Sequence, residues 1–339
     1  MLSLSKILGM RKESPPPWER PFDRRATEAD IQACFRLILG RNPNREEWAG
    51  HSARAGEDLS SVVASYVSSL EFSRRNLLAW TAGDTKLARL PEFSIYAAPD
   101  DLAVGRTVLG GSYEPEITAT FRRILRPGMG VVDIGANIGW FTMLAAALVG
   151  PTGFVLAVEP NPRNVKLLEA SRRLNAFGQV VVAQLAAGRE VGVLVLHTSH
   201  SNGTTSPLPK DMAALLNAET IPCLPLDVLL PEERRIDLIK IDVEGAEYNA
   251  LLGCRKTIAR WRPAIVSEFS PGSMPGISGI SGEEYLRFLI DLGYHLWVVE
   301  HDASLRAFRQ DIAGVMTVWH DRAVDHIDIV AAIEGHRAI

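Results

Sequence analysis

The run V-V-D-I-G-A-N-I-G-W-F-T, Val131 to Thr142, joins a short apolar strand to an apolar helix through a glycine-bearing turn. Val131, Val132 and Ile134 suit a strand covered on both faces. Gly135 and Gly139 permit dihedrals and close approaches that a Cβ forbids. Trp140 to Val149 reads as a core helix, too short to span a membrane. Outward from this point the alternation continues. Strands are expected at 154–158, 180–187, 191–196, 236–243, 264–269, 294–299 and 327–333. Helices are expected at 164–175, 246–261 and 283–292. Such alternation predicts an α/β unit, a parallel sheet covered by helices.

Upstream the character changes. Residues 1–25, with Pro15-Pro16-Pro17, read as a mobile leader with no secretory-signal pattern. Residues 26–80 read as a small helical module. Thr27 with Asp30 forms a helix-start cap, and Ile31, Cys34, Phe35, Ile38 and Leu39 recur at helical spacing. Gly40 and Asn42-Pro43-Asn44 close that helix. Further helices are expected over 46–54, from Asp58 onward, and within 69–80. Residues 81–112 read as a connector with a strand near 93–97, and the α/β unit is assigned to 113–339.

The chain has 339 residues, 47% hydrophobic and 22% charged, which suits about two globular domains. A net charge of −4 gives no global positive field for nucleic acid. No apolar run has the length of a membrane span. The 3 cysteines are far apart and lack a C-x-x-C, so neither a disulfide framework nor structural zinc is expected, and a cytoplasmic location is the default.

Three groups carry chemistry. In the first, Asp133, Gly135, Asn137 and Gly139 depart from the G-x-G-x-x-G that seats a dinucleotide pyrophosphate on bare backbone. An acid beside the turn repels phosphate and suits an ammonium group. S-adenosylmethionine has an ammonium group and no phosphate. Glu159, about twenty residues beyond the glycines and followed by Pro160-Asn161-Pro162, suits a ribose diol at a strand end. In the second, K-I-D-V-E-G-A-E, Lys240 lies in an otherwise apolar strand and needs a partner. Asp242 shares its face, and Glu268 on the next strand is the other choice. Glu244 and Glu247 fall where a helix N-terminus favours acids. In the third, the polar stretch 197–210 reads as a loop covering the substrate, with His197, His200 and Asn202. Its H-x-x-H is a weak metal signal without a helical acid partner.

These pieces resemble the FkbM-type methyltransferases. The matching runs are Tyr113-Glu114, L-R-P-G-M-G-V-V-D-I-G-A-N-I-G-W-F-T (Leu125 to Thr142), A-V-E-P-N-P (Ala157 to Pro162), Leu226-Asp227, D-L-I-K-I-D-V-E-G-A-E (Asp237 to Glu247), L-L-G (Leu251 to Gly253), R-P-A-I-V-S-E (Arg262 to Glu268) and L-G-Y (Leu292 to Tyr294). The resemblance covers about residues 113–300. It implies a class I methyltransferase: a Rossmann-like, mostly parallel seven-stranded sheet with helices on both faces, using S-adenosylmethionine on hydroxyl acceptors. Separately, F-R-L-I-L-G-R-N-P-N (Phe35 to Asn44), Trp48 and Y-V-S-S-L-E-F (Tyr66 to Phe72) resemble a bacterial helical domain akin to phycobilisome-linker repeats. On that resemblance Phe35, Leu37, Trp48 and Phe72 are core candidates, Arg41 and Glu71 a structural pair, and the module has no chemistry of its own.

The expected function is O-methylation of a small hydroxylated acceptor such as a saccharide. Asp133, Gly135, Asn137, Gly139, Glu159 and Asn161 are the donor-site candidates. Lys240, Asp242 and Glu268 are the catalytic candidates, with Asp242 or Glu268 as general base. A divalent ion held by those two carboxylates is the alternative, though the spacing designates no metal site. The rivals are a nicotinamide oxidoreductase and a non-catalytic adaptor whose helical module binds a protein partner.

Overall fold

The structure is a computed structural model that describes residues 22–75, 85–199 and 201–336. Most of the leader, the end of the expected fourth helix and the start of the connector lie outside the described residues. The chain divides into two compact units, Met1–Thr81 and Ala82–Ile339.

In the first unit, Thr27 caps helix Glu28–Ala33. Its side chain accepts from the Asp30 amide while Asp30 accepts from the Thr27 amide, the reciprocal box that the T-x-x-D spacing predicts. The helix continues into a π turn, Cys34–Ile38. Asn44 caps Arg45–Ser52 and Asp58 caps Leu59–Val67, with Leu70–Arg75 following. Ile31, Phe35, Val62 and Tyr66 form the core, and Trp48 and Phe72 pack against it. Arg41 bridges Glu47 and Glu71 at 2.7 and 2.5 Å. Leu37 departs from expectation, being 80% exposed. Position 37 lies outside the 31-34-35-38-39 apolar stripe, so helical spacing itself turns Leu37 away from the core.

The second unit opens with a hairpin, Lys86–Arg89 with Ser94–Ala97. The hairpin is tied to helix Pro162–Leu174 and the residue after it: the Tyr96 amide donates to Ser171 Oγ and the Ser94 amide to Asn175 Oδ1. The large sheet has eight strands, numbered here in chain order: β1 Gly130–Ile134, β2 Phe154–Val158, β3 Val180–Ala183, β4 Leu238–Ile241, β5 Ala264–Phe269, β6 His295–Val299, β7 Leu305–Arg309 and β8 Ile327–Ala332. Their spatial order is β7-β6-β8-β5-β4-β1-β2-β3. The pairs β1/β2, β2/β3, β1/β4 and β4/β5 are parallel. The pairs β5/β8, β8/β6 and β6/β7 are antiparallel. All residues of β1 and β4 are buried, as expected of central strands covered on both faces.

The sheet is thus larger and more mixed than the seven mostly parallel strands expected. The last strand inserts antiparallel between β5 and β6, and β7 adds an edge whose L-R-A-F-R alternation gives only a weak apolar signal. The strand expected over 180–187 divides at Ala183. Its second part, Ala186–Ala187, joins a separate four-stranded sheet with Thr220–Leu224, Gly192–Ser199 and Asn202–Ser206. The helix expected over 246–261 divides into Glu247–Leu252 and Arg255–Trp261. At Gly253, between them, a Cβ would lie 2.2 Å from the Gly188 carbonyl oxygen. Among the described residues, no helix is long and apolar enough to cross a membrane.

Candidate functional site

Strand order reverses between β1, which leads on to β2 and β3, and β4, which leads on to β5, while the two strands stay parallel. Open α/β sheets bind ligands at this switch point, outside the carboxyl ends of the strands. A cavity of about 450 Å³ lies there.

The turn after β1 forms one wall. The Gly135 and Ala136 amides both donate to the Val158 carbonyl, folding the chain back over β2. Gly135 lines the cavity with φ +79°, and a Cβ there would lie 1.8 Å from the Asp242 carbonyl oxygen. Gly139 serves packing instead: its φ is +99°, and a Cβ would sit 2.8 Å from Leu168 Cγ. Asn137 lines the cavity and its amide donates to Glu159 Oε2 at 2.8 Å.

Glu159 directly follows β2 and is buried on the cavity wall. Its other oxygen accepts from the Asn161 amide and Asn164 Nδ2. Burial pushes its carboxyl up to about 7, against the pull of these donors. Asn161 does not line the cavity. It backs Glu159 and caps the next helix, accepting from the Arg163 amide. Asp133 also lies behind the wall rather than on it. It is fully buried, accepts from Thr142 Oγ1 at 2.6 Å, and its other oxygen has no hydrogen-bond partner among the described residues. Burial pushes its carboxyl up, with Lys240 opposing.

Lys240 lies beside Asp133 in the β1/β4 register. Its Nζ donates to Asp242 Oδ2 at 3.0 Å and sits 5.0 Å from the Phe141 ring centre. Burial would lower this ammonium, but Asp242, Asp133 and Glu114 outweigh it and hold it above the usual lysine range. Two-residue alternation therefore picks the right partner. Asp242 and Glu268 both line the cavity, whereas Lys240 stays behind Asp242. Glu268 accepts from Ser270 Oγ at 2.8 Å, and His326 Nε2 stands 3.9 Å from its other oxygen. Burial and the neighbouring Asp242 push Glu268 up to about 10. Glu247 closes the turn after β4 from inside, accepting from the Val243 and Gly245 amides.

The stretch expected as a loop over 197–210 is instead largely a hairpin, with His197 facing Thr204 across its strands. Its outer strand reads N-G-T-T-S, polar residues whose register is imposed by the partner strand rather than by an apolar pattern. His197 contacts Ser206 Oγ at 2.8 Å and does not line the cavity. Asn202 does line it. His200 lies outside the described residues.

Sequence reasoning did not designate Tyr113, Glu114, Ser201 or His326, all on the cavity wall. Tyr113 and Glu114 do have a sequence signal, the Tyr113-Glu114 run ahead of Pro115 at a helix start, and the structure gives Glu114 a left-handed φ of 39°. Among the described residues, no group of three or more His, Cys, Asp or Glu side chains is arranged to hold a metal ion.

Residues 133–296 match the family model described as the methyltransferase FkbM domain. A curated relative, Methyltransferase 1 of Beauveria bassiana (strain ARSEF 2860), is 29% identical over an alignment of 143 residues, with 36% of this chain and 57% of that protein covered. Among solved structures, methyltransferase FkbM from Methylobacillus flagellatus KT is similar at 16% identity and a TM-score of 0.38, covering 68% of this chain and 52% of that one. A SAM-dependent O-methyltransferase from Thermotoga maritima is similar at 15% identity and a TM-score of 0.37, covering 66% of each chain. The chain thus spans little more than half the length of the curated relative and of the first of these structures.

Proposed function

We propose that the chain is an S-adenosylmethionine-dependent O-methyltransferase acting on a small hydroxylated acceptor, a saccharide being the class in view, and that it works in the cytoplasm. The observation that carries this reading is the division of carboxylates along one cavity: Glu159 at one wall, Asp242 and Glu268 at another. Acidic walls suit a sulfonium and an ammonium and repel a pyrophosphate, which disfavours a nicotinamide dinucleotide. Glu159 and the bare Gly135 turn fit an adenosine: a carboxylate accepts from a ribose diol, and a missing Cβ leaves room for close approach. Bound there, S-adenosylmethionine supplies an electrophilic methyl group.

The chain's own residues then align and deprotonate. Asp242, fixed by Lys240, accepts the proton of the acceptor hydroxyl. Glu268, held protonated up to about 10, donates a hydrogen bond from the same wall. Asp133 acts from behind the wall, setting the field and holding Lys240. Calorimetry that detects binding of S-adenosylhomocysteine but not NAD removes the oxidoreductase rival. Labelled methyl transfer into a cell-extract fraction removes the adaptor rival; absence of both signals defeats the proposal.

Donor affinity should depend on pH through Glu159. The ionised carboxylate is the better acceptor, so below about 7 binding must first expel a proton. Affinity for S-adenosylhomocysteine is expected to rise with pH, by up to roughly tenfold per unit, and to level off above about pH 7. Stability without ligand runs the other way. A carboxyl raised from 4.5 to about 7 favours the fold most below 4.5 and loses that contribution as pH climbs through 7. Glu159→Gln should weaken binding at about pH 8 and flatten the slope. A wild-type titration that is flat with pH would remove Glu159 from the donor site.

The helical unit, for which a linker-repeat likeness and a protein-binding role are our reading, is expected to be dispensable for chemistry. A chain beginning at residue 85 should fold and bind S-adenosylhomocysteine as the full chain does. A chain that fails to fold would show that the first unit completes the core of the second.

A further inference from the structure

Ser201 stands at the turn between the strands Gly192–Ser199 and Asn202–Ser206. It lines the cavity and is only 7% exposed, yet its hydroxyl has no hydrogen-bond partner among the described residues. Burying a hydroxyl without a partner opposes folding, and native chains keep few such groups. The surroundings of Ser201 point to what it meets. Its main-chain carbonyl accepts from Asn164 Nδ2 at 2.7 Å, and the same nitrogen donates to Glu159 Oε1 at 3.1 Å. The next residue is tied in the same direction: Asn202 Oδ1 lies 3.4 Å from Asn137 Nδ2, and the Asn137 amide donates to Glu159 Oε2. Two asparagines therefore anchor the hairpin tip to the carboxylate at the donor end of the cavity.

Resting on the reading that S-adenosylmethionine occupies this cavity, we propose that the Ser201 hydroxyl binds the donor, forming with Glu159 a two-sided clamp on the ribose diol. A ribose hydroxyl both donates and accepts. Glu159, when ionised, can only accept. Ser201 supplies the missing donor, so the pair satisfies a diol that neither satisfies alone. The hairpin thereby belongs to donor recognition rather than to covering the acceptor. It also explains why a polar tip is held in place without a ligand: the asparagines position the hydroxyl in advance.

The test is Ser201→Ala in the full chain, read in three ways. Calorimetry should show S-adenosylhomocysteine binding weakened about tenfold, the loss of one hydroxyl hydrogen bond. Melting without ligand should stay the same or rise, because the variant deletes a hydroxyl that has no partner in the fold. A structural role would lower melting instead. Competition with adenosine, 2′-deoxyadenosine and 3′-deoxyadenosine should show that the wild type favours the full diol and that the variant loses part of this preference. Unchanged S-adenosylhomocysteine affinity, lowered melting, or an undiminished preference for the diol would each overturn the proposal. If the wild type itself takes up no S-adenosylhomocysteine, the donor reading of the cavity fails, and this assignment falls with it.

Discussion

Asp242→Asn is expected to lower turnover by about 10²–10⁴-fold while S-adenosylhomocysteine affinity stays within a small factor of wild type. The substitution keeps volume and shape and removes the group placed to take the acceptor's proton. In free energy this is about 3–5 kcal/mol of lost transition-state stabilisation. The competing explanation is that Asp242 only neutralises Lys240. Removing one partner of a buried pair can cost about 3–5 kcal/mol because the other charge is stranded. Lys240, however, also feels Asp133 and Glu114, so it is not left without negative neighbours. Melting should therefore fall by less than that range, and the kinetic loss should exceed the loss of stability. Turnover is read as labelled methyl incorporated into extract, and stability as thermal melting. A chelator that abolishes wild-type turnover, with magnesium or manganese restoring it, would make Asp242 a metal ligand instead. Full turnover with unchanged melting would remove it from the chemistry altogether.

Gly135→Ala should have the largest effect on the fold. The backbone at 135 has φ +79°, and the added methyl carbon would lie 1.8 Å from the Asp242 carbonyl oxygen. No side-chain rotation relieves a clash between a Cβ and a main-chain oxygen. Either the turn or the end of β4 must move, and both are cavity walls. The left-handed penalty of about 1–2 kcal/mol adds to an overpacking cost of about 1–3 kcal/mol. Melting should drop by on the order of 10 °C for a unit of this size. S-adenosylhomocysteine binding should be lost even where the variant remains folded. Retained affinity would show that the turn does not touch the donor.

The contrast between the two predictions reflects what a sequence exposes. An acid at the end of an apolar strand stands out, so Asp133, Glu159, Asp242 and Glu268 were legible one at a time. Their separation into wall and backing was not. Asp133 precedes the glycine turn by two residues, yet it points to Thr142 and away from the cavity. Glu114 and His326 were harder still, because one opens a helix and the other precedes the last strand. Only the sheet's topology brings them to one cavity. The outer strand of the hairpin, Asn202–Ser206, lacks the apolar alternation that marks a strand: it pairs with the adjacent Val195–Ser199, and its tip is held by Asn137 and Asn164, distant in the chain. By contrast, the helix caps at Thr27, Asn44, Asp58 and Ser281 are local devices, each complete within four residues.

The position of β8 has a consequence during synthesis. Because this strand sits between β5 and β6, the sheet cannot close until residue 332 has left the ribosome. Before then the emerging chain presents two open strand edges, the bare flanks of β5 and β6, each a template for pairing with another chain. The His326 wall of the cavity also arrives with this last strand. The nascent protein is therefore most exposed to misassembly, and the cavity still incomplete, until residue 332 has emerged.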